Sequence, residues 1–142
     1  MNITVRKAQI RDIPDILKMN EKLNGEGQAT TETMKNSLKN NKNEIVFAAV
    51  CGGRAVGFIC GRIYPSICYS ESLQCEITEL YVDEDYRRKG AATMLIKRVE
   101  QEFAENNAHE IVLLTGINNA AAQKFYESRG YAFRRKAYLK NV

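Results

Sequence analysis

The segment LYVDEDYRRKGAATMLI, residues 80–96, joins an apolar strand end, a charged turn, a glycine and the start of an apolar-periodic run. ELYV reads as the last residues of a strand. Beyond it, Ala92, Leu95, Ile96, Val99 and Phe103 recur at helical spacing, so AATMLIKRVEQEFAENN is expected to be an amphipathic helix. The first turn of a helix carries N–H groups without acceptors and a partial positive charge, and together these bind anions. Gly90, Ala91 and Ala92 are small enough to let an anion reach those amides. Arg87, Arg88 and Lys89 put cations at the rim. The GxxxxGK[ST] spacing of a nucleotide-binding P-loop is missing, and one glycine after a late strand is not a dinucleotide fingerprint. Taken alone, the stretch reads either as an anion cradle or as a solvated charged turn before an ordinary helix.

Working outward, EIVFAAVCGGRAVGFICGRIY places two β-rich apolar runs on either side of Gly52-Gly53, a two-residue hairpin turn. ITVRKAQ reads as a first strand. RDIPDILKMNEKLNG reads as a helix with Asp12 as its cap, Pro14 in its first turn, and Ile13, Ile16 and Leu17 on one face. NGEGQAT is a polar loop and TETMKNSLKNN a second, shorter helix. PSICYSESL reads as a loop and QCEITELYVD as a strand. EIVLLTG is a short apolar strand of the kind covered on both faces. NNAAAQKFYESRG is a helix that opens at an asparagine and closes at Gly130. YAFRRKAYL alternates and reads as a last strand. The expected order is β-α-α-β-β-β-α-β-α-β: an α/β fold in one domain, residues 1–142, with a mixed, mostly antiparallel sheet flanked by helices.

Composition limits the function classes. The chain has 142 residues and a net charge of +4, with 44% hydrophobic and 27% charged residues. A charge this mild suits an anionic ligand as well as nucleic acid, and the interspersed charges of both signs argue against a polycationic tail. No stretch is apolar for long enough to span a membrane, and the N-terminus lacks a signal-peptide core, so a cytoplasmic location is expected. Cys51, Cys60, Cys68 and Cys75 form no CxxC pair, and His109 is the single histidine, so no metal site is expected. The cysteines read as reduced thiols.

LYVDEDYRRKGAATMLI resembles the acyl-coenzyme A binding motif of the GNAT superfamily of N-acetyltransferases. The family pattern, Arg/Gln-x-x-Gly-x-Gly/Ala between a strand and a helix, is filled by Arg87, Gly90 and Ala92. VRKAQIRDI resembles the family's opening strand and helix, with Arg6, Ala8 and Asp12 in register. NNAAAQKFYESRGY resembles its late helix. The resemblance covers nearly the whole chain and implies the GNAT fold, with acetyl-coenzyme A as co-substrate.

It also implies roles for named residues. Leu80, Tyr81 and Val82 would present backbone groups to the pantetheine arm and thioester, with the Val82 N–H as oxyanion donor. Arg87, Arg88, Lys89, Gly90, Ala91 and Ala92 would hold the pyrophosphate. Asn119 would contact the pantetheine region, and Tyr126 would be the general acid that protonates the leaving sulfur. The base would be Glu79 or Glu76, with Glu79 nearer the expected thioester. Strict alternation puts these two carboxylates on opposite faces of the strand unless a bulge intervenes.

The acceptor is expected to be a small-molecule primary amine, aminoglycoside-like or polyamine-like. Glu21, Glu26 and Glu71, in or beside the loops Asn24–Thr31 and Pro65–Ser72, join Glu76 and Glu79 as a candidate acidic lining. Acetylation of a protein lysine or N-terminus is the alternative. Some N-terminal acetyltransferases of the family carry a glutamate five residues before the asparagine, and Leu114 stands there in this chain. A coenzyme A binding regulatory module without turnover is a further alternative. An RNA-binding domain would need exposed aromatics among basic residues, as YAFRRKAYLK faintly offers, but neither nucleic acid nor a membrane is expected as a partner. The family allows a homodimer.

Overall fold

The computed structural model describes residues 2–142. In chain order its elements are β1 (Thr4–Lys7), α1 (Ile13–Asn24), α2 (Thr31–Asn40), β2 (Glu44–Cys51), β3 (Arg54–Ser66), β4 (Tyr69–Val82), α3 (Ala91–Glu105), β5 (Ile111–Leu113) and α4 (Ala120–Ser128). Short 3-10 turns precede α1 and α3. The strands form one sheet in the order β1-β2-β3-β4-β5. The pairs β1-β2, β2-β3 and β3-β4 are antiparallel. β5 is reached from β4 through α3, the kind of crossover that a parallel neighbour requires. The fold is α/β, with a mostly antiparallel sheet flanked by helices, as the sequence pattern implies. By contacts the chain divides into two units, one ending at Val112 and the other spanning Leu113–Val142.

Within the first unit, strand alternation sorts the core into two layers. Ala48, Ala55 and Phe58 turn to one face and pack with Ile16 and Met19 of α1. Phe47, Ala49 and Ile59 turn to the other, where α3 buries Ala91, Leu95, Ile96, Val99 and Phe103. Fully burying a side chain of this size stabilises by roughly 1.5–3 kcal/mol. α3 can seat this closely because β3 carries Gly61 beneath it. A Cβ at Gly61 would lie 2.7 Å from Phe103 Cζ and 3.1 Å from Val99 Cγ2.

The first hairpin forms as expected. Gly52 and Gly53 adopt φ of 58° and 79°, the left-handed pair of a two-residue turn. Three expectations are corrected. PSICYSESL is not a loop: β3 runs to Ser66 and β4 starts at Tyr69, leaving only Ile67 and Cys68 as the turn. Proline is tolerated there because Pro65 falls at an irregularity of the ladder, between Tyr64 and Ser66, where no amide is required. YAFRRKAYL is not a strand, and residues 131–142 have no regular secondary structure. Its apolar side chains, Phe133, Tyr138 and Leu139, stay exposed. Without burial, little offsets the entropy of ordering an extended segment. Finally, the Asp12 side chain does not cap α1.

Asp12 instead lies buried beneath the turn from β1 to α1. Arg6 Nη1 and Nη2 donate to its two oxygens at 2.7 and 3.0 Å, and the Gln9 N–H donates at 2.7 Å. Burial would raise the carboxyl's pKa, but the bonds from Arg6 and Gln9 outweigh it and hold the group below the usual carboxylate range. A lowered folded-state value means that the stabilisation is present above the unfolded value, about 3.9, and is lost as pH falls through the folded one. Asp12→Asn is expected to cost about 2–3 kcal/mol at pH 7, because a buried pair broken on one side leaves the other uncompensated and Arg6 is partly exposed. In urea titrations, the gap to wild type should narrow as pH falls below about 4.

Candidate active site

In the first unit, the end of β4 and the start of α3 are built around hydrogen bonds that hold the intervening turn. The Asp83 N–H donates to the Val56 carbonyl at 2.8 Å. By the alternation of an antiparallel ladder, the N–H and C=O of Val82 then point away from β3. Arg87 Nε donates to that Val82 carbonyl at 2.8 Å, with its guanidinium 5.3 Å from the centre of the Tyr81 ring. Lys89 Nζ donates to the Asp85 carbonyl at 3.0 Å. The Asp83 carboxylate accepts the Glu84 N–H at 3.1 Å and lies 3.2 Å from Lys22 Nζ. The acidic start of this turn is thus a cap that ties it to α1, rather than a merely solvated piece.

Arg88 and Gly90 adopt φ of 60° and 84°. Gly90 is the N-cap of α3, and no side chain caps that helix. The first-turn amides, which begin at Ala91 and Ala92, therefore have neither an intrahelical acceptor nor a capping side chain. A Cβ built on Gly90 would meet no atom within 4 Å, so the space beside this residue is open. Uncapped amides, a helix start and three flanking cations fit a phosphate group.

On β4, Cys60 pairs with Glu79 and Gly61 with Ile77, which leaves Thr78 as an extra, unpaired residue. This bulge overrides the alternation. Glu79 lies opposite Cys60 and Glu76 opposite Arg62, and Cys60 and Arg62 share the face on which α1 packs. Both carboxylates therefore face the same side. Their partners differ. Glu76 Oε1 lies 3.9 Å from Arg62 Nη2, whereas Glu79 Oε2 accepts from Asn24 Nδ2 at 3.3 Å. Leu80, on the opposite face, pairs with Ile59, and Tyr81 pairs with Phe58. The expected acceptor loops fare unequally. Residues 25–30 form a loop with Glu26 exposed, while Pro65–Ser72 belongs to the second hairpin.

The second unit holds the remaining two expected residues. Asn119 is the N-cap of α4, and its Oδ1 accepts the Ala122 N–H at 3.2 Å. Tyr126 lies on α4, half-buried, with its ring 5.4 Å from Phe125 and 5.9 Å from Tyr131. Burial raises its phenol above the usual tyrosine value, so the hydroxyl stays protonated at neutral pH.

The model of the acetyltransferase (GNAT) family matches residues 13–131. The chain belongs to that family. GNAT acetyltransferases use acetyl-CoA as co-substrate. It is 34% identical over 91 residues to N-alpha-acetyltransferase 30 of Xenopus laevis, a match that spans 64% of this chain and 33% of that protein. It is 27% identical over 135 residues to an uncharacterized N-acetyltransferase of Chlorobaculum tepidum, spanning 95% of this chain and 79% of that one. The structure of an aminoglycoside acetyltransferase from a soil metagenome, in complex with sisomicin, superposes with a TM-score of 0.83 at 20% identity, covering 99% of this chain and 95% of that one. At that identity the likeness shows the fold.

Sequence reading missed Asn24, Arg62 and Thr78 as neighbours of the two carboxylates. A bulge has no composition of its own in ITE, and Asn24 reads as an ordinary helix end before Gly25. Gly90→Ala is expected to lower stability by about 1–2 kcal/mol through its left-handed backbone alone, since the added methyl meets open space. A thermal melt should show this as a Tm about 3–8 °C lower.

Proposed function

We propose that this GNAT protein acetylates a primary amine of a small, multiply charged cationic molecule, by direct transfer with Glu79 as base and Tyr126 as acid. The observation that carries this reading is the shared face of Glu76 and Glu79 created by the extra residue at Thr78. Two carboxylates on one face suit an acceptor with more than one ammonium group, since one can hold a charge while the other takes a proton. Glu76 already faces the Arg62 guanidinium at 3.9 Å, whereas the side-chain hydrogen bond found for Glu79 among the described residues comes from a neutral amide. That difference favours Glu79 for proton abstraction and Glu76 for holding charge.

Acetyl-CoA supplies the acetyl group as an activated thioester. The first-turn amides of α3, with Arg87, Arg88 and Lys89, would hold its pyrophosphate. Leu80, Tyr81 and Val82 would align the pantetheine arm through their backbone groups, with the Val82 N–H as oxyanion donor. Such a donor is worth about 3 kcal/mol in a dry site. Glu79 would take the proton of the attacking ammonium, because only the neutral amine is nucleophilic. Tyr126 keeps its proton at neutral pH and would give it to the departing sulfur. Asn119 would contact the pantetheine region through its Nδ2, since its Oδ1 is engaged at the start of α4.

A second reading, acetylation of a protein N-terminus, is supported by the 34% identity to N-alpha-acetyltransferase 30. An acceptor panel separates the two. Thiol release from acetyl-CoA should have a higher kcat/KM with spermidine or an aminoglycoside than with peptides bearing a free α-amine. The reverse order would replace the small-molecule reading with the N-terminal one. No release with any amine, despite binding of acetyl-CoA, would overturn the catalytic assignments and leave a binding module. Tyr126→Phe is expected to lower kcat by about 10²-fold or more with acetyl-CoA affinity retained. A wild-type rate in that variant would remove Tyr126 from the mechanism.

A further inference from the structure

We propose that Asn24 is a positioning residue for Glu79, aiming its carboxylate from the end of α1. The inference rests on the reading of Glu79 as the base.

Asn24 is the last residue of α1, directly before Gly25. Its Nδ2 has two acceptors, Asn20 Oδ1 at 2.8 Å and Glu79 Oε2 at 3.3 Å. Asn20 lies one turn earlier on the same helix, so the shorter bond fixes the amide's rotamer and leaves its other N–H directed at β4. An asparagine amide oriented in this way donates to the carboxylate and fixes where its oxygen points. The backbone on the other side is equally constrained. Thr78 Oγ1 donates to the Cys60 carbonyl at 3.3 Å, which pins the bulge immediately before Glu79. The carboxylate is thus held by the strand beneath it and by the helix beside it.

The other titratable groups on that face do not duplicate this contact. Cys60, opposite Glu79, has its thiol pushed well above the usual range by burial and by the charges of Glu44 and Glu79, so it stands neutral. Glu76 is paired with Arg62 in the next row, and Glu44 of β2, opposite Arg62 on its other side, accepts from Ser37 Oγ at 2.7 Å. Tyr81, two residues on, is engaged by Arg87. Among the described residues, the side-chain hydrogen bond found for Glu79 is the one from Asn24.

The decisive measurement is a kcat-against-KM comparison in the full chain, with spermidine and with a peptide bearing a free α-amine as acceptors. Asn24→Ala should lower kcat by about 3–10-fold with the KM for acetyl-CoA unchanged, the loss expected when one hydrogen bond to a reacting carboxylate is removed. Asn24→Asp, which replaces the donor with a like charge, should lower kcat further, and Asn24→Gln should restore part of the wild-type rate. Wild-type kcat in both Asn24→Ala and Asn24→Asp, while Glu79→Gln loses turnover, overturns the inference and leaves Glu79 as base. A wild-type rate in Glu79→Gln instead removes Glu79 as base, and with it the positioning role.

Discussion

Because β4 carries one residue more than β3 can pair, the ladder must absorb Thr78 between Ile77 and Glu79. Without the bulge, Glu76 and Glu79 would lie on opposite sides of the sheet, and one would point toward the apolar layer beneath α3. The bulge keeps Ile77 in that layer, buried opposite Gly61, and returns Glu79 to the face of α1. β3 carries its own extra residue at Val56, between the pairs Ala49–Gly57 and Val50–Ala55. With both strands bulged, each can serve an apolar layer on one side and a polar row on the other, more flexibly than strict alternation allows.

The same sheet carries two polar surfaces built by different means. At the start of α3 the open donors are backbone amides, available because Gly90 ends its turn in a left-handed conformation and no side chain caps them. On the face of α1 they are side chains, each held by a partner from another element: Arg62 for Glu76 and Asn24 for Glu79. The amide surface is a property of any helix start shaped in this way, which fits a part of the co-substrate common to the family. The side-chain arrangement depends on individual residues, which can change without disturbing the fold.

Much of this was legible in the sequence where local chemistry decides the structure. Gly52-Gly53 between two β-rich runs admits few conformations other than a tight hairpin. The spacing of Leu95, Ile96, Val99 and Phe103 fixes the buried face of α3. Tertiary circumstance decided the rest. Asp12 has the composition of a helix cap, but the guanidinium of Arg6 claims it. Pro65 and its polar neighbours look like a loop until the ladder supplies an irregular step where an amide is not needed. YAFRRKAYL has the alternation of a strand, yet three consecutive basic residues interrupt its apolar face. The shared face of Glu76 and Glu79 depends on a single unpaired residue that no composition marks.

Gly61 and Gly90 would look alike in a mutational scan, since both should resist replacement. Their resistance has different origins, and suppressor genetics should tell them apart. At Gly61 the obstacle is a neighbour, with Phe103 Cζ 2.7 Å from where a Cβ would be. A smaller residue at Phe103 could therefore restore an alanine at position 61, and the two sites should covary as a pair. At Gly90 the obstacle is the residue's own backbone in open space, so no single partner can compensate. Drift at position 61 can be followed by adjustment inside α3, whereas position 90 constrains every lineage that keeps this turn.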